Sequence, residues 1–210
     1  MRVVWKGEVR MILDACCGGK TMYHGWDKNL GDQLISIDIR ALPVRDWIGG
    51  EGYKAKMAPI EPTIKADINW LPFKEQIFDA IIFDPPHLQT DIRSFMGEKY
   101  GAWAKSQAYK NMVAVNTEFA RVLKPKGLLL MKVLALDART YISLLSNFIF
   151  FLPIEYNSQS NLSNVKVGWY IGMLKSSLPT SSSAHDRHIP AYPTQQELGL
   201  PLHLRPSESS

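Results

Sequence analysis

Cysteine is scarce in this chain: Cys16 and Cys17 stand side by side and no others occur. Two adjacent thiols provide no disulfide framework, so a reducing compartment, the cytoplasm, is expected. Long apolar runs are missing too. The stretch 141–153 is interrupted by Ser143, Ser146 and Asn147, and it falls well short of the roughly 20 residues that cross a bilayer. No membrane association is expected. Residues 1–8 lack the apolar segment and small-residue cleavage site of a secretory signal. Neither charge sign is in large excess, since 24 Lys and Arg against 20 Asp and Glu leave +4. The basic residues are dispersed, with Lys105, Lys110, Arg121, Lys124 and Lys126 the nearest approach to a group. That balance is compatible with a nucleic-acid partner, and a solvated helix face explains the same residues.

With 46% apolar content in 210 residues, one domain with an ordinary core is expected. No internal repeat is visible. Beyond Lys175 the composition turns to serine and proline without a sustained apolar period, which predicts a flexible tail over 176–210 and a folded domain over 1–175. His185, His188 and His203 fall in that tail at spacings that match no ligand pattern, so no metal site is assigned.

Within the domain, apolar runs alternate with amphipathic stretches. Strands are expected at 10–15, 33–38, 63–67, 78–84 and 128–133. A helix is expected over 106–123, where Ala108, Met112, Val115, Phe119 and Val122 recur at helical spacing before Lys124-Pro125-Lys126-Gly127 stops it. A second helix is expected over 138–148, then strands at 154–156 and 167–174 that could form a hairpin. Strands apolar throughout and separated by crossovers argue for an α/β fold, a Rossmann-like, doubly wound, mostly parallel seven-stranded sheet whose C-terminal strand is antiparallel.

Three strands end in an aspartate, Asp14, Asp38 and Asp84, and Asp67 follows the short third strand. Ligands of open α/β sheets bind outside the carboxyl ends of the strands, so these acids would share one edge. After Asp14 comes the small-residue turn Ala15-Cys16-Cys17-Gly18-Gly19-Lys20-Thr21, and Asp38 stands near the spacing at which an acid reaches ribose hydroxyls. A nucleoside-containing cofactor is favoured. Gly18-Gly19-Lys20-Thr21 also contains the end of a phosphate-binding P-loop, but Asp14 occupies the place of its first glycine, where a carboxylate repels polyphosphate. Gly-x-Gly-x-x-Gly is absent, because positions 16 and 21 are Cys16 and Thr21.

The run Ile81-Ile82-Phe83-Asp84-Pro85-Pro86-His87 reads as a buried strand delivering a stiff turn. Each proline lacks an N–H and fixes φ, so Asp84-Pro85-Pro86 can neither continue a ladder nor start a helix. The turn is left rich in acceptors, which suits an amino group placed before it.

Leu13-Asp14-Ala15-Cys16-Cys17-Gly18-Gly19 resembles the class I S-adenosylmethionine-dependent methyltransferase family. Asp84-Pro85-Pro86-His87, a DPPH motif, resembles its amino-methyltransferase branch, which acts on adenine or cytosine in nucleic acids, on guanine in RNA and on protein glutamine. The resemblance extends through Asp67-Ile68-Asn69-Trp70-Leu71-Pro72-Phe73 and Val122-Leu123-Lys124-Pro125-Lys126-Gly127, covering roughly 11–175, with Lys126 where glycine is usual. It implies a cofactor, S-adenosyl-L-methionine, held by Asp14, Gly18 and Gly19 at the methionine part, Asp38 at the ribose and Asp67 at the adenine, with Ala15, Cys16, Ile39, Ile68 and Asp84 beside them. It implies catalysis at Asp84, Pro85, Pro86 and His87, by acceptance of the amine hydrogens, and His87 replaces the commoner tyrosine or phenylalanine.

Residues 88–109 hold Arg93, Lys99, Tyr100 and Trp103, the pattern of a substrate lid over a flipped or single-stranded base, or of a loop whose aromatics pack on the core. With 1–10 and the tail offering little recognition surface, a small or single-stranded substrate, a partner subunit or a homo-oligomer is expected in preference to a long duplex site. The alternative is a non-catalytic, methyltransferase-like subunit that binds cofactor or nucleic acid.

Overall fold

The computed structural model describes residues 10–20, 34–48, 52, 54–88, 93–151, 154–157 and 166–176. The expected tail, Ser176 apart, and its three histidines lie outside these residues. Strands run at β1 (Ile12–Ala15), β2 (Leu34–Asp38), β3 (Arg45–Ile48), β4 (Lys54–Met57), β5 (Ile64–Lys65), β6 (Phe78–Phe83) and β7 (His87–Leu88). A short helix, α1 (Phe95–Tyr100), precedes β8 (Ala102–Trp103), then come α2 (Lys105–Val122), β9 (Leu123–Leu134), α3 (Ala135–Leu144), β10 (Phe148–Phe150), β11 (Ile154–Asn157) and β12 (Lys166–Leu174).

The main sheet runs in the order β5-β2-β1-β6-β9-β12, closed by β10 and β11, which pair successive halves of the same side of β12. Phe151 N–H donates to Ile171 O at 2.8 Å between those halves. They are one interrupted edge rank, so the sheet has seven ranks. The first five strands are mutually parallel, and β12 is antiparallel to β9. This is a Rossmann-like α/β sheet with an antiparallel C-terminal strand, as the sequence pattern predicts. The chain winds from β1 to β2 and β5 on one side, then to β6 and β9 on the other, so the order reverses beside β1. In such sheets that reversal leaves a crevice beyond the strand ends.

Burial explains the uninterrupted apolar strands. Leu13, Ile37, Ile81, Phe83, Leu129 and Met131 are all fully buried, as parallel strands covered by neighbouring elements require. Met112, Val115, Phe119 and Val122 of α2 are fully buried against them, and Phe119 meets Phe83 edge to face at 5.1 Å. Lys124 to Gly127 form an excursion opposite Asp79, between the Phe78 and Ala80 pairings. Lys126 there has φ +64, and a Cβ on Gly127 would stand 2.8 Å from Leu123 Cδ2 and 2.9 Å from the Lys124 carbonyl. This turn needs glycine at that place because backbone and side chain close on it.

Two expectations are corrected. The second helix does not reach Phe148: it ends at Leu144, and Phe148 pairs with Leu174 as a strand. Asn147 N–H donates to Asn116 Oδ1 at 3.0 Å and its side-chain amide donates to Asn116 O at 3.2 Å, bonds to α2 that turn the chain out of the helix. Of the basic group, Lys110 and Lys126 are exposed, but Arg121 and Lys124 are engaged within the chain and are not free members of a basic helix face. Arg121 donates to Phe73 O, Leu71 O and Glu118, pinning the loop after β5 to α2, and Lys124 pairs with Asp79 at 3.0 Å. The antiparallel hairpin of β3 and β4 is an element the periodicity did not reveal. No helix among the described residues is long and apolar enough to cross a membrane.

Candidate active site

The carboxyl ends of β2, β1 and β6 lie side by side, and each brings an aspartate. Asp14 is fully buried within β1, Asp38 closes β2 at 5% exposure, and Asp84 follows β6. Cys16 lies among them. Burial pushes its thiol well above the ordinary range, and the charges of Asp38, Asp14 and Asp84 push it further, against a lowering by Arg40. The parallel pairing of β1 with β2 and with β6 sets these three strand ends side by side around the turn that bears Cys16.

The turn after β1 is tied to β2. Cys17 N–H donates to Ile37 O at 2.9 Å, and Lys20 N–H closes the turn on Cys17 O at 2.8 Å. Gly18, at φ +48, turns its N–H to Asp38 Oδ2 at 3.1 Å. Asp38 also accepts from Arg40 N–H and Arg40 Nε on Oδ1, at 2.9 and 3.0 Å, and from Arg40 Nη2 on Oδ2 at 3.1 Å. Four donors meet the roughly four lone-pair directions of one carboxylate. The fork continues outward: Arg40 Nη1 and Arg45 Nη2 both donate to Glu98 O at 3.2 Å, near the carboxyl end of α1, where cations are favoured. Strand end, arginine and short helix thus form one chain of contacts.

Asp84 has a cation of its own. Lys132 Nζ, from β9, stands 3.0 Å from Asp84 Oδ2. Pro85 is buried, and Pro86 accepts from Tyr141 Oη at 3.4 Å. The backbone of His87 pairs with Ala102 through β7 and β8, so the turn runs directly into the segment bearing α1. The side chain of His87 lies outside the described residues.

A cavity of about 410 Å³ opens over these strand ends. Cys16, Asp38, Ile39, Asp67, Ile68 and Pro86 line it from the sheet side, and Tyr100 and Trp103 line it from the segment after β7. Ile39 is 61% exposed, an apolar surface available to a flat ligand. Asp67 Oδ1 accepts from Asn69 N–H at 2.9 Å, which shapes the turn after β5. Asp14, Ala15, Gly18, Asp84 and Pro85 are not on the cavity wall. Gly19 and Lys99 line a separate small cavity with Arg45. Lys99 lies over the Phe95 and Tyr100 rings, 5.7 and 4.9 Å from their centroids, and Arg93 is exposed away from the wall. Of the four expected lid residues, the aromatic pair faces the cavity and the basic pair does not.

Residues not foreseen complete the wall. Gln107 Nε2 and Asn69 Nδ2 donate to Asn111 Oδ1 at 2.8 and 3.3 Å, and all three amides line the cavity. Asn111 is only 7% exposed. Its signal was present in the sequence, because it lies three residues after Ala108 and four before Val115, inside the apolar stripe of α2. Lys132 was equally visible, a charge between buried Met131 and Val133. Among the described residues no group of three or more His, Cys, Asp or Glu is placed to hold a metal ion.

No protein-family model matches the chain, and no curated protein is significantly similar to it. Solved structures are similar in fold. TrmN from Thermus thermophilus is 14% identical with a TM-score of 0.52, over 79% of this chain and 44% of that one. A SAM-dependent methyltransferase from Methanosarcina mazei is 14% identical with a TM-score of 0.49, over 80% of this chain and 94% of that one. The N-methyltransferase NodS from Bradyrhizobium japonicum is 13% identical with a TM-score of 0.47, over 79% and 85%. The likeness to TrmN supports the Rossmann-like fold read from the strands.

Proposed function

We propose that this protein is an S-adenosylmethionine-dependent methyltransferase acting on an exocyclic amino nitrogen, most favourably that of a nucleobase in DNA or RNA. The observation that carries the reading is that parallel β2, β1 and β6 bring Asp38, Asp14 and Asp84 to one sheet edge, beside a cavity lined by Asp38 and Asp67. The residues fit the cofactor in kind: carboxylates suit ribose hydroxyls and a cationic sulfur, and Ile39 and Ile68 offer apolar surface to an adenine ring. Of the residues assigned to the cofactor, Cys16, Asp38, Ile39, Asp67 and Ile68 line the cavity, and Asp14 and Gly18 belong to the strand and turn beside it.

Bound S-adenosylmethionine, with Asp38 and Asp67 as the residues that would hold it, would supply an electrophilic methyl group, and the proton given up by the acceptor nitrogen would pass by way of the Asp84 carboxylate to solvent. The chain's own part is positioning. An exocyclic amine is a poor nucleophile because its lone pair is delocalised into the ring. Accepting its hydrogens at Asp84 and at a proline carbonyl of the turn localises that pair. Pro86 on the cavity wall brings the turn to the ligand, and Tyr100 and Trp103 offer rings on which a base can stack. Arg121 and Lys124, two of the basic group on α2 and the turn after it, are engaged within the chain, which is in keeping with a single-stranded or small acceptor.

A non-catalytic, cofactor-binding or nucleic-acid-binding relative is the second reading, and the saturation of Asp38 by Gly18 and Arg40 favours it. The P-loop reading is opposed by Asp14, fully buried where that motif has its first glycine. Calorimetry with S-adenosylmethionine and with ATP tests the proposal. Binding of the methyl donor is expected; binding of ATP alone would sink it. Transfer of a labelled methyl group to DNA, RNA, protein or small-amine pools then identifies the acceptor.

A further inference from the structure

Asp84 and Lys132 form an ion pair at 3.0 Å, with the two side chains 24% and 27% exposed. Lys132 reaches it from near the carboxyl end of β9, its strand neighbours Met131 and Val133 being buried on the opposite face, and the ion pair sets where its ammonium stands. The second carboxylate over the same crevice, Asp38, is matched by Arg40. Two of the acids that would otherwise attract a cationic ligand are therefore already compensated from within the chain.

We propose that Lys132 selects the acceptor by charge, admitting neutral amino groups such as those of nucleobases and carboxamides to Asp84 and excluding alkylammonium groups. The inference rests on Asp84 being the amine acceptor argued above. A carboxylate can accept several hydrogen bonds, so a neutral amine takes Asp84 Oδ1 while Lys132 stays on Oδ2. An alkylammonium on the same carboxylate would stand about 5 Å from Lys132 Nζ, and at the effective dielectric of a part-exposed site that repulsion lowers its occupancy roughly 10- to 100-fold. A merely structural Lys132, bracing β9 against the turn after β6, would affect both classes of amine alike.

The test compares adenosine and cytidine with putrescine, as ligands and as methyl acceptors, in the wild type, Lys132→Met and Lys132→Arg. The wild type is expected to take the nucleosides in preference to putrescine. Lys132→Met is expected to raise putrescine relative to the nucleosides by at least about tenfold, while Lys132→Arg keeps the wild-type ratio. Should Lys132→Met fail to fold, Lys132→Gln removes the same charge. An unchanged ratio in the neutral variant, or a wild type that takes putrescine as readily as the nucleosides, overturns the proposal. Calorimetric binding of the amines needs no turnover, so it decides charge selection even where S-adenosylmethionine fails to bind and the broader reading falls.

Discussion

Arg40 grips Asp38 through both carboxylate oxygens, Nε on Oδ1 at 3.0 Å and Nη2 on Oδ2 at 3.1 Å, while its remaining nitrogen reaches Glu98 O. Ribose hydroxyls can use Asp38 only where some of these donors give way. Arg40→Met should therefore strengthen S-adenosylmethionine binding several-fold. Because Asp38 is 5% exposed, losing two charge-assisted bonds should also lower folding stability by about 1–3 kcal/mol. Calorimetry and thermal unfolding read the two effects, and weaker binding in the variant would show that the arginine belongs to the ligand site.

Asp84 offers the complementary separation. It follows β6 beside the cavity, and Lys132 is its cation. Asp84→Ala should reduce methyl transfer by at least about a hundredfold, the range expected when a group that acts on the reacting amine is removed. Cofactor affinity should change little, since Asp84 does not line the cavity wall, and the partly exposed lysine left behind should lower stability only slightly. Single-turnover transfer alongside calorimetry checks both, and full transfer in the variant removes the catalytic assignment.

What the sequence made legible and what it hid divide along a physical line. Fully buried strands are apolar on both faces, so 12–15, 34–38 and 78–83 stand out locally, and each delivers its acid to the same edge because parallel strands share a direction. The pairing of Asp84 was not legible, although Lys132 itself stands out as a charge between apolar residues. Lys132 meets Asp84 from 48 residues away, a distance no local pattern spans. Phe148, expected at the end of a helix, is a strand residue because Asn116 holds Asn147 and Phe148 pairs with Leu174. The β3 and β4 hairpin, four residues a side, is recognised only from its pairing and from contacts such as Trp47 on Phe95, at 5.4 Å between ring centroids.

Asn111 supplies the acceptor for two neighbouring amides while itself buried. Asn111→Leu removes the acceptor shared by Asn69 Nδ2 and the exposed Gln107 Nε2, groups that water can reach, and should destabilise the fold by about 0.5–1.5 kcal/mol. It should also weaken nucleoside-containing ligands, because the three amides are polar groups of the cavity wall. Denaturant titration and calorimetry measure the two losses, and a variant as stable as wild type would refute the network's structural weight.

Asp79 gives an acid-side expectation. Burial opposes its ionisation most strongly, yet the Lys124 ammonium and the Met11 N–H together hold its carboxyl below the ordinary 3.8. With the native value below the unfolded one, its contribution is present above about pH 4 and is lost as pH falls through the native value. Asp79→Asn should thus be destabilising by about 0.5–1.5 kcal/mol at pH 7, given how exposed the pair is, with the difference from wild type shrinking below pH 4. Unfolding midpoints at pH 7 and pH 3 provide the comparison.

Cys17 gives the opposite window. Burial first, then the charges of Asp14 and Asp38, push its thiol up to about 12 from an ordinary 9.0. Between those values the unfolded chain releases a proton that the folded chain keeps, so folding loses stability as pH rises, by about 1 kcal/mol per pH unit from this group alone. The loss should set in above pH 9. Cys17→Ala removes the titrating thiol, so its urea midpoint should decline less than that of wild type between pH 8 and pH 10.5. Because the lysines, the tyrosines and the other cysteine are common to both proteins, the difference between the two slopes reads Cys17, and parallel slopes would mean that the fold does not keep this thiol protonated above pH 9.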